Sequence, residues 1–355
     1  MEAEIHEPPH ATSELPGISG AIGEAPEDFR VQEIPAYLPS GEGEHWYVEL
    51  EKRLLSTPDL VRRVSEAAGV EPRDIGYAGL KDKHAITTQW LSLPGRASAP
   101  DSWSLPEAIR VLRVSRHANK LRTGHLNGNR FRIGLSGVEP DALPRAQAIA
   151  ARLREQGLPN YFGAQRFGRG GENLSRALSW LAGGGRARLP PFLLKLYPSV
   201  VQSELFNRYL TLRKELGLEQ TLLGEVVRLE GSYASFVVED PEAETRRLLA
   251  RDIHLTGPML GPKMRPAQGR ALELEAEVAA QLSVDVRVQQ VLAKFAPGAR
   301  RDLLVFPKDL QIGTGEPGRL WLEFSLPAGS YATVLVRELL RSRLLESQAG
   351  REGEP

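Results

Sequence analysis

Strand-like and helix-like segments follow one another along this chain without the regular alternation that a doubly wound parallel sheet requires. Residues 29–34 and 45–50 read as strands, separated by a turn region rich in Gly and Glu. A helix is predicted to begin at Thr57, which can act as its cap, and to end at Gly69. Further strand-like pieces follow, and another helix is predicted over residues 144–156. We therefore predict an α+β fold.

The middle of the chain differs in character from its two ends. Residues 157–190 are rich in glycine and include a run of three at 183–185, after which two helical stretches enclose a strand-like region. Toward the end, residues 320–326 alternate apolar and polar side chains, as a strand does. Ser330 is then predicted to cap a helix that extends to about residue 345. A length of 355 residues is enough for about two domains.

Composition limits the classes of function. The chain has no cysteine, which excludes disulfides, thiolate nucleophiles and cysteine-ligated zinc. It has no apolar run near the roughly 20 residues of a membrane span and no signal-peptide pattern, so we expect a cytoplasmic protein. Its 45 Lys and Arg balance 45 Asp and Glu, yet residues 110–132 are rich in Lys and Arg and lack carboxylates. This basic stretch predicts either a solvated surface or contacts with phosphate groups.

One carboxylate is a candidate nucleophile. Asp82 lies between Lys81 and Lys83, after glycines that permit a sharp bend and before a predicted strand. Flanking positive charge favours the ionised form of a carboxyl group, and an ionised, positioned carboxylate can act as a covalent nucleophile. The alternative is an ordinary surface turn, which is the more common setting of such a tripeptide.

Two later clusters suit the recognition of an unpaired base. Residues 121–133 combine a turn with Asn129 and Phe131, and an amide can read a base edge while a ring stacks on the base. Residues 160–171 interleave aromatic, Arg and Gly residues, a composition that suits stacking and phosphate contacts. Each cluster has a structural alternative: a hairpin turn for the first and core aromatics for the second. No pattern in the sequence predicts a metal or cofactor site.

Together and in this order, the clusters resemble the TruD family of pseudouridine synthases. The resemblance covers nearly all of residues 20–340. Its most specific parts are Gly-Leu-Lys-Asp-Lys at 79–83 and Asn-Tyr-Phe-Gly-Ala-Gln-Arg-Phe-Gly at 160–168. The matching stretches are 26–33, 39–45, 78–85, 88–90, 128–131, 159–168, 202–207, 257–261 and 326–333.

The resemblance implies a fold and a domain organisation. A catalytic domain with the mixed or antiparallel sheet of pseudouridine synthases would consist of residues 20–156 and 300–345. Residues 157–299 would form the inserted second α/β domain that is typical of the family. A flexible arm over residues 1–19 and a disordered tail over residues 346–355 complete the expected arrangement.

The resemblance also implies the site residues. Asp82 matches the nucleophile of the family. The implied substrate contacts are Phe29, Asn129, Tyr331, Lys81 and Phe131. Tyr331 stands where many relatives have Phe, which keeps a ring and adds a hydroxyl. Gly23 and Glu24 occupy the region in which relatives often carry a Lys, so the source of that positive charge is open.

The implied activity is the isomerisation of a uridine in tRNA, at position 13, to pseudouridine. No cofactor, metal, membrane or protein partner is implied, and nothing demands more than a monomer. The target nucleotide would be flipped out, because a stacked base cannot turn. Asp82 would attack either the ribose or the pyrimidine ring. Two alternatives stay open: a non-catalytic RNA-binding protein, and a hydrolase that removes the base with the same carboxylate.

Overall fold

The chain folds as two compact units in the computed structural model, which describes residues 5–232 and 234–341 without the side chain of Arg169. Residues 14–156 and 306–341 form one unit, here called the sheet unit. Residues 5–13 and 157–305 form the other, here called the helical unit. The family resemblance implied domain boundaries at residue 157 and after residue 299, and the structure divides the chain at residue 157 and after residue 305.

The long strands belong to the sheet unit, and most of the helices belong to the helical unit. In chain order, the strands are β1 (Ala21–Ile22), β2 (Phe29–Pro35), β3 (His45–Arg53), β4 (Gly76–Tyr77), β5 (Ile86–Pro94), β6 (Ile109–His117), β7 (Leu126–Ser136), β8 (Leu158–Pro159), β9 (Val226–Leu229), β10 (Ser235–Val237), β11 (Ile253–Met259), β12 (Ala299–Asp302), β13 (Leu304–Val305), β14 (Lys308–Thr314) and β15 (Arg319–Pro327). The helices are α1 (Thr57–Ala68), α2 (Ala142–Gln156), α3 (Glu172–Ala182), α4 (Pro191–Glu215), α5 (Pro241–Leu249), α6 (Gly269–Gln281), α7 (Val286–Leu292) and α8 (Ala332–Leu339).

A mixed sheet forms the centre of the sheet unit, in the strand order β14-β15-β7-β2-β5-β3-β6. Neighbouring strands in this order run antiparallel, except that β2 and β5 are parallel. Two short strands lie off the path, where β1 pairs with β7 and β4 pairs with β5. The predicted α+β class with a mixed sheet is confirmed.

Helix α1 covers one face of this sheet, here called the front face. Apolar side chains of α1 pack there against alternate residues of β3 and β5, because successive strand residues point to opposite faces. The buried side chains are Leu60, Val61 and Val64 of α1 with Val48, Leu50, Leu91 and Leu93 of the strands. Burying each such side chain contributes about 1.5–3 kcal/mol, so this contact fixes where α1 begins relative to the sheet.

The start of α1 differs from the sequence prediction by one residue. Ser56 caps the helix, because its hydroxyl accepts the N–H of Asp59, whereas Thr57, the predicted cap, is already helical. Gly69 ends the helix, as predicted, with a φ of 67° that suits glycine. The Thr57 hydroxyl consequently makes its contacts outside the helix.

The early and late parts of the sheet unit meet at Ile18. Its side chain is buried, it pairs with Leu340, and its N–H donates to the carbonyl of Leu339 over 2.9 Å. The predicted flexible arm is therefore held in place at this point.

Helix α8 is shorter than predicted. It ends at Leu339, and its N-cap residue is Tyr331, which makes no side-chain capping bond, rather than Ser330. The backbone turns extended at Leu340 and pairs with Ile18, which stops the helix before residue 345. The predicted tail over residues 346–355 lies outside the described residues.

The helical unit is built around α4, which spans 25 residues and contains Pro198. Helix α4 packs on α3, α6 and β11, and β11 belongs to an antiparallel sheet of order β10-β9-β11-β12. Within the unit, the fully buried Arg213 of α4 pairs with Glu225 at 2.9 Å. The glycine-rich stretch noted in the sequence contains β8 and α3, with short turns between them.

Candidate active site

Residues 78–85, here called the Asp82 segment, connect β4 to β5. Strand β5 pairs with β2 through residues 86–88 and with β4 at residues 91–92. Both partners lie on the same side of β5, because β3 occupies the other side. The Asp82 segment therefore leaves the sheet through the gap between β2 and β4, and the Asp82 side chain is half-buried.

Glu33 of β2 fills this gap. Its Oε1 accepts the N–H of Trp90 over 3.3 Å, a bond that a neighbouring strand would otherwise make. Its Oε2 lies 2.7 Å from Nζ of Lys81, and the two side chains are only 1% and 4% exposed. Since breaking a buried ion pair leaves an uncompensated charge, this pair ties the residue before Asp82 to the sheet.

Two further side chains fix the main chain of the Asp82 segment. Thr57 accepts the N–H of Lys81 over 2.9 Å and donates to Oε1 of Gln89 over 3.0 Å. Lys52 of β3 donates to the carbonyl of Asp82 over 2.8 Å, and also to those of Lys81 and Leu55. The peptide groups on both sides of Asp82 are thus held by α1 and β3.

Asp82 and Lys52 shift each other's ionisation. Burial raises the pKa of the Asp82 carboxyl, while the positive charges of Lys52 and Lys81 oppose that rise. Burial lowers the pKa of Lys52 from its ordinary 10.5 to about 8, although Asp82 favours the charged form. The sequence predicted that Lys81 and Lys83 would act on Asp82. The charge of Lys81 does so, although its ammonium group binds Glu33, whereas Lys83 is exposed. Lys52 was missed, because only strand pairing brings β3 beside this segment.

A cluster of three buried aromatic rings, Phe29, Phe131 and Phe324, lies on the front face. Phe29 meets Phe131 edge to face at 6.4 Å between ring centroids, and Phe131 stacks on Phe324 at 5.3 Å. Residues that lie directly opposite each other on neighbouring strands form a row across the sheet, and their side chains point to the same face. The row that holds Phe131 runs Lys52, Thr87, Val31, Phe131 and Phe324. The predicted contacts Phe29 and Phe131 are therefore neighbours on the face that carries Lys52.

Asn129 lies next to Phe131 on the same face. It is opposite Glu33 of β2 and Leu326 of β15. Its amide oxygen is buried and accepts no hydrogen bond from any described residue. Thr87 Oγ1 and Gln89 Nε2 are likewise buried without a partner among residues 5–232 and 234–341. Unpaired buried polar groups are costly, so three of them near one segment indicate a place for a polar ligand or water.

Tyr331 lies in the turn between β15 and α8. The turn begins beside β7, since the N–H of Ala328 donates to the carbonyl of Asn127 over 3.1 Å. Tyr331 is half-buried and precedes the first residue of α8. The turn that carries Tyr331 thus follows the strand end at which Asn129 lies.

The basic stretch of residues 110–132 is partly neutralised by ion pairs. Its paired arginines are Arg110 with Glu51, Arg113 with Glu49, and Arg130 and Arg132 with Glu323. The carboxylates come from β3 and β15, which the sequence alone does not pair with this stretch. The positive charge available to a phosphate is therefore smaller than the sequence suggests.

The aromatic cluster of residues 160–171 lies in the helical unit. Tyr161 and Phe167 are buried, as the structural alternative predicts. Phe162 exchanges two backbone hydrogen bonds with the Asn207 amide, and the Arg301 guanidinium lies 4.0 Å from its ring centroid. Most of this cluster is therefore engaged in holding the unit together.

Among the described residues, no group of three His, Asp or Glu side chains is arranged to hold a metal ion. No helix in the described ranges is both long and apolar enough to cross a bilayer.

Comparison with known proteins shows what the chain is similar to. The family model described as tRNA pseudouridine synthase D (TruD) matches residues 9–183 and 175–339. The chain is 43% identical over 340 residues to a tRNA pseudouridine synthase D of Anaeromyxobacter sp. (strain Fw109-5), over 94% of this chain and 96% of that protein. It is 42% identical over 342 residues to a protein of the same name from Thermus thermophilus, over 95% and 93%. A crystal structure described as tRNA pseudouridine synthase D from Methanosarcina mazei has a TM-score of 0.74 and 26% identity, over 95% of this chain and 97% of that one.

These similarities assign the chain to the pseudouridine synthases, a class of isomerases, and confirm the resemblance drawn from the sequence. Within that class, the chain belongs to the tRNA pseudouridine synthase D (TruD) family.

Proposed function

We propose that this protein converts a uridine in tRNA to pseudouridine, with Asp82 as the nucleophile on a nucleotide flipped out of its helix. The observation that carries the proposal is the way the Asp82 segment is held. Glu33, Thr57 and Lys52 fix it from three different elements of the sheet unit. Such fixing is what a nucleophile needs, since a small displacement of a reacting group greatly lowers the rate. Family membership supports tRNA as the substrate.

The front face supplies groups suited to a flipped uridine. Extruding a base costs a few kcal/mol, which stacking on Phe29 and Tyr331 would offset, with Phe131 supporting the Phe29 ring from within the core. The buried amide of Asn129, whose oxygen accepts nothing from the described residues, would take a uracil N–H or a ribose hydroxyl. Lys81 would contribute by its charge and by holding the segment on Glu33.

The reaction balances without any other reactant. The bond from ribose C1′ to uracil N1 breaks, the base turns, and a bond from C1′ to C5 forms. C5 loses a proton and N1 gains one. Asp82 forms a temporary bond either to C1′ or to the pyrimidine ring and is released at the end. Its ionised form is required on both routes, and the positive charge of Lys52 favours that form.

We propose position 13 of tRNA as the target, as the family resemblance implies. Pseudouridine is mapped in total RNA of cells with and without the gene for this protein. A single lost site at position 13 of a subset of tRNAs is the expected result. Loss at another position, or in another class of RNA, would assign a different target while leaving the reaction unchanged.

The direct test replaces the proposed nucleophile. The Asp82→Asn variant is expected to bind tRNA with the affinity of the parent protein and to release no tritium from tRNA labelled at uridine C5. The matched control is Asp101→Asn, which alters an exposed carboxylate of the same unit and is expected to keep full activity. Tritium release by Asp82→Asn at the parent rate would remove Asp82 from the mechanism.

The same reactions separate the two alternatives. A hydrolase that used Asp82 would leave free uracil and abasic tRNA, which chromatography detects. A non-catalytic RNA-binding protein would bind tRNA and release no tritium even with Asp82 intact.

A further inference from the structure

A separate cavity lies on the sheet unit, away from the front-face row that holds Phe131. It has a volume of about 520 Å³, within the usual range of about 300–1,000 Å³ for small-molecule sites. The residues that line it are Tyr37, Leu38, His117, Asn119, Lys120, Arg122 and His125. We call it the Tyr37 cavity.

The rings of this cavity are held rigidly. Tyr37 stacks on His117 with 5.1 Å between ring centroids and an interplanar angle of 28°. Its hydroxyl is 2.8 Å from Nδ1 of His125. Tyr47 packs edge to face on His117 and donates to the carbonyl of Asn119 over 2.9 Å. A fixed aromatic surface is what stacking on an unpaired base requires.

The charge of the cavity suits a phosphate. Its lining contains two cations, Lys120 and Arg122, and no carboxylate. Arg122 is exposed and forms no ion pair within residues 5–232 and 234–341, unlike the paired arginines of the same basic stretch. Leu38 is 67% exposed and adds an apolar side chain to the lining.

The cavity is linked to the Asp82 segment. The N–H of Gly124, between two lining residues, donates to the carbonyl of Ala78 over 2.8 Å. Ala78 precedes Asp82 by four residues, so their Cα atoms are at most about 14 Å apart. The cavity and Asp82 are therefore separated by a distance that a few nucleotides of an extended RNA chain can span.

We propose that the Tyr37 cavity is a second nucleotide subsite, which takes an unpaired nucleotide of the RNA close to the target uridine. The inference rests on the proposed function. The base stacks on the face of the Tyr37 ring that points away from His117, and it covers Leu38. A phosphodiester contacts Arg122 and Lys120.

The test combines protein variants with altered RNAs and measures only their binding affinity. All protein variants carry Asp82→Asn, so that no reaction takes place. Abasic residues are placed one at a time at the unpaired positions around the target. At one position, removing the base is expected to weaken binding by about fivefold or more, as the loss of a stacked base does. In the additional variant Tyr37→Leu, the same removal is expected to change nothing. Trp103→Leu, which alters a half-buried ring elsewhere in the unit, is expected to keep the sensitivity.

A second arm covers the case in which Tyr37→Leu fails to fold. Arg122→Gln alters an exposed side chain, and a neutral methylphosphonate replaces each phosphate near the sensitive position. The linkage whose neutralisation weakens binding to the parent protein is expected to have no effect on Arg122→Gln. If both variants respond to every altered position as the parent does, the subsite is excluded.

The failure of this inference is distinguishable from that of the proposed function. A wild-type protein that forms no pseudouridine overturns the function, whereas the subsite is decided by binding. Uridine 5′-monophosphate serves as a competitor, and it is expected to leave the bound RNA in place. Displacement of the RNA by micromolar mononucleotide would assign the cavity to a free nucleotide and overturn the proposal.

Discussion

Lys52 is fully buried and has the lowered pKa of about 8 that burial causes, yet its ammonium group lies at the carbonyl of Asp82. An amine in that position is charged only below its pKa. In the proposed mechanism, the carboxyl group of Asp82 can act as a nucleophile only above its own pKa, which burial raises. The proposal therefore predicts catalysis only in the pH range in which Asp82 is ionised and Lys52 is protonated.

The pH dependence of Lys52→Met follows from these signs. Without the positive charge, the ionised form of Asp82 is less favoured, so its pKa rises and the acid limb of the rate moves to higher pH. The fall in rate above about pH 8 is expected to disappear, because the amine that titrates there is gone. Single-turnover rates across the pH range measure both effects.

The matched control for that experiment is Lys83→Met. Lys83 also adjoins Asp82 in sequence but is exposed, so its charge is screened by solvent and both limbs are expected to stay in place. A Lys52→Met profile that coincides with the parent profile would show that Lys52 has no influence on the nucleophile.

The residues around Asp82 were only partly predictable from the sequence. The Lys-Asp-Lys tripeptide and its glycines identified Asp82 as a candidate, because they are local features. The contacts of Lys52 and Glu33 depend on which strands pair, so no local pattern indicated them. Thr57 was identified as a cap, and a shift of one residue gave that task to Ser56.

Strand β5 is the element that shapes the site. Its first part pairs with β2 and its later part with β4, and the Asp82 segment emerges between them. The strand itself was predictable, since its sequence is rich in β-branched and apolar residues. The gap between β2 and β4 was not predictable, because the Glu33 side chain, and not a strand, accepts the N–H of Trp90 there.

A double-mutant cycle tests whether the Glu33–Lys81 ion pair stabilises the fold around β5. Each single variant, Glu33→Gln or Lys81→Met, leaves one buried charge without its partner and is expected to lower the free energy of unfolding by about 3–5 kcal/mol. The double variant leaves no unpaired charge, so we expect it to be more stable than the sum of the two single losses predicts. The difference is the interaction energy of the pair. Urea denaturation of the four proteins gives these values.

An exposed pair provides the comparison for the cycle. Arg110→Met breaks an ion pair with Glu51 whose arginine side chain is 69% exposed, and its cost is expected to stay below about 1 kcal/mol. Strictly additive losses for Glu33→Gln and Lys81→Met would show that the two side chains stabilise the fold independently.

At the scale of the whole chain, the sequence indicated two parts from the glycine-rich middle and the family resemblance. The structure divides at residue 157 and after Val305, and it assigns residues 5–13 to the helical unit. That assignment was not predictable, because the contacts of the first residues are distant in sequence, such as the 2.7 Å bond between His6 and Thr211. The composition gives the net charge of zero, but it does not show which arginines form ion pairs.

Four of the seven Lys and Arg residues between residues 110 and 132 form ion pairs, so we expect this stretch to make only a small number of phosphate contacts with RNA. Counterion release makes affinity fall with salt in proportion to that number, so two contacts predict a loss of about tenfold between 50 and 200 mM salt. We expect the tRNA affinity of Asp82→Asn, measured by fluorescence anisotropy, to fall by about tenfold over that range of salt. Arg122→Gln is expected to reduce the slope by about one, whereas Arg110→Gln, whose guanidinium already pairs with Glu51, is expected to leave it unchanged. An affinity that does not vary with salt would mean that tRNA is held without phosphate contacts, and the basic stretch would then have no part in binding.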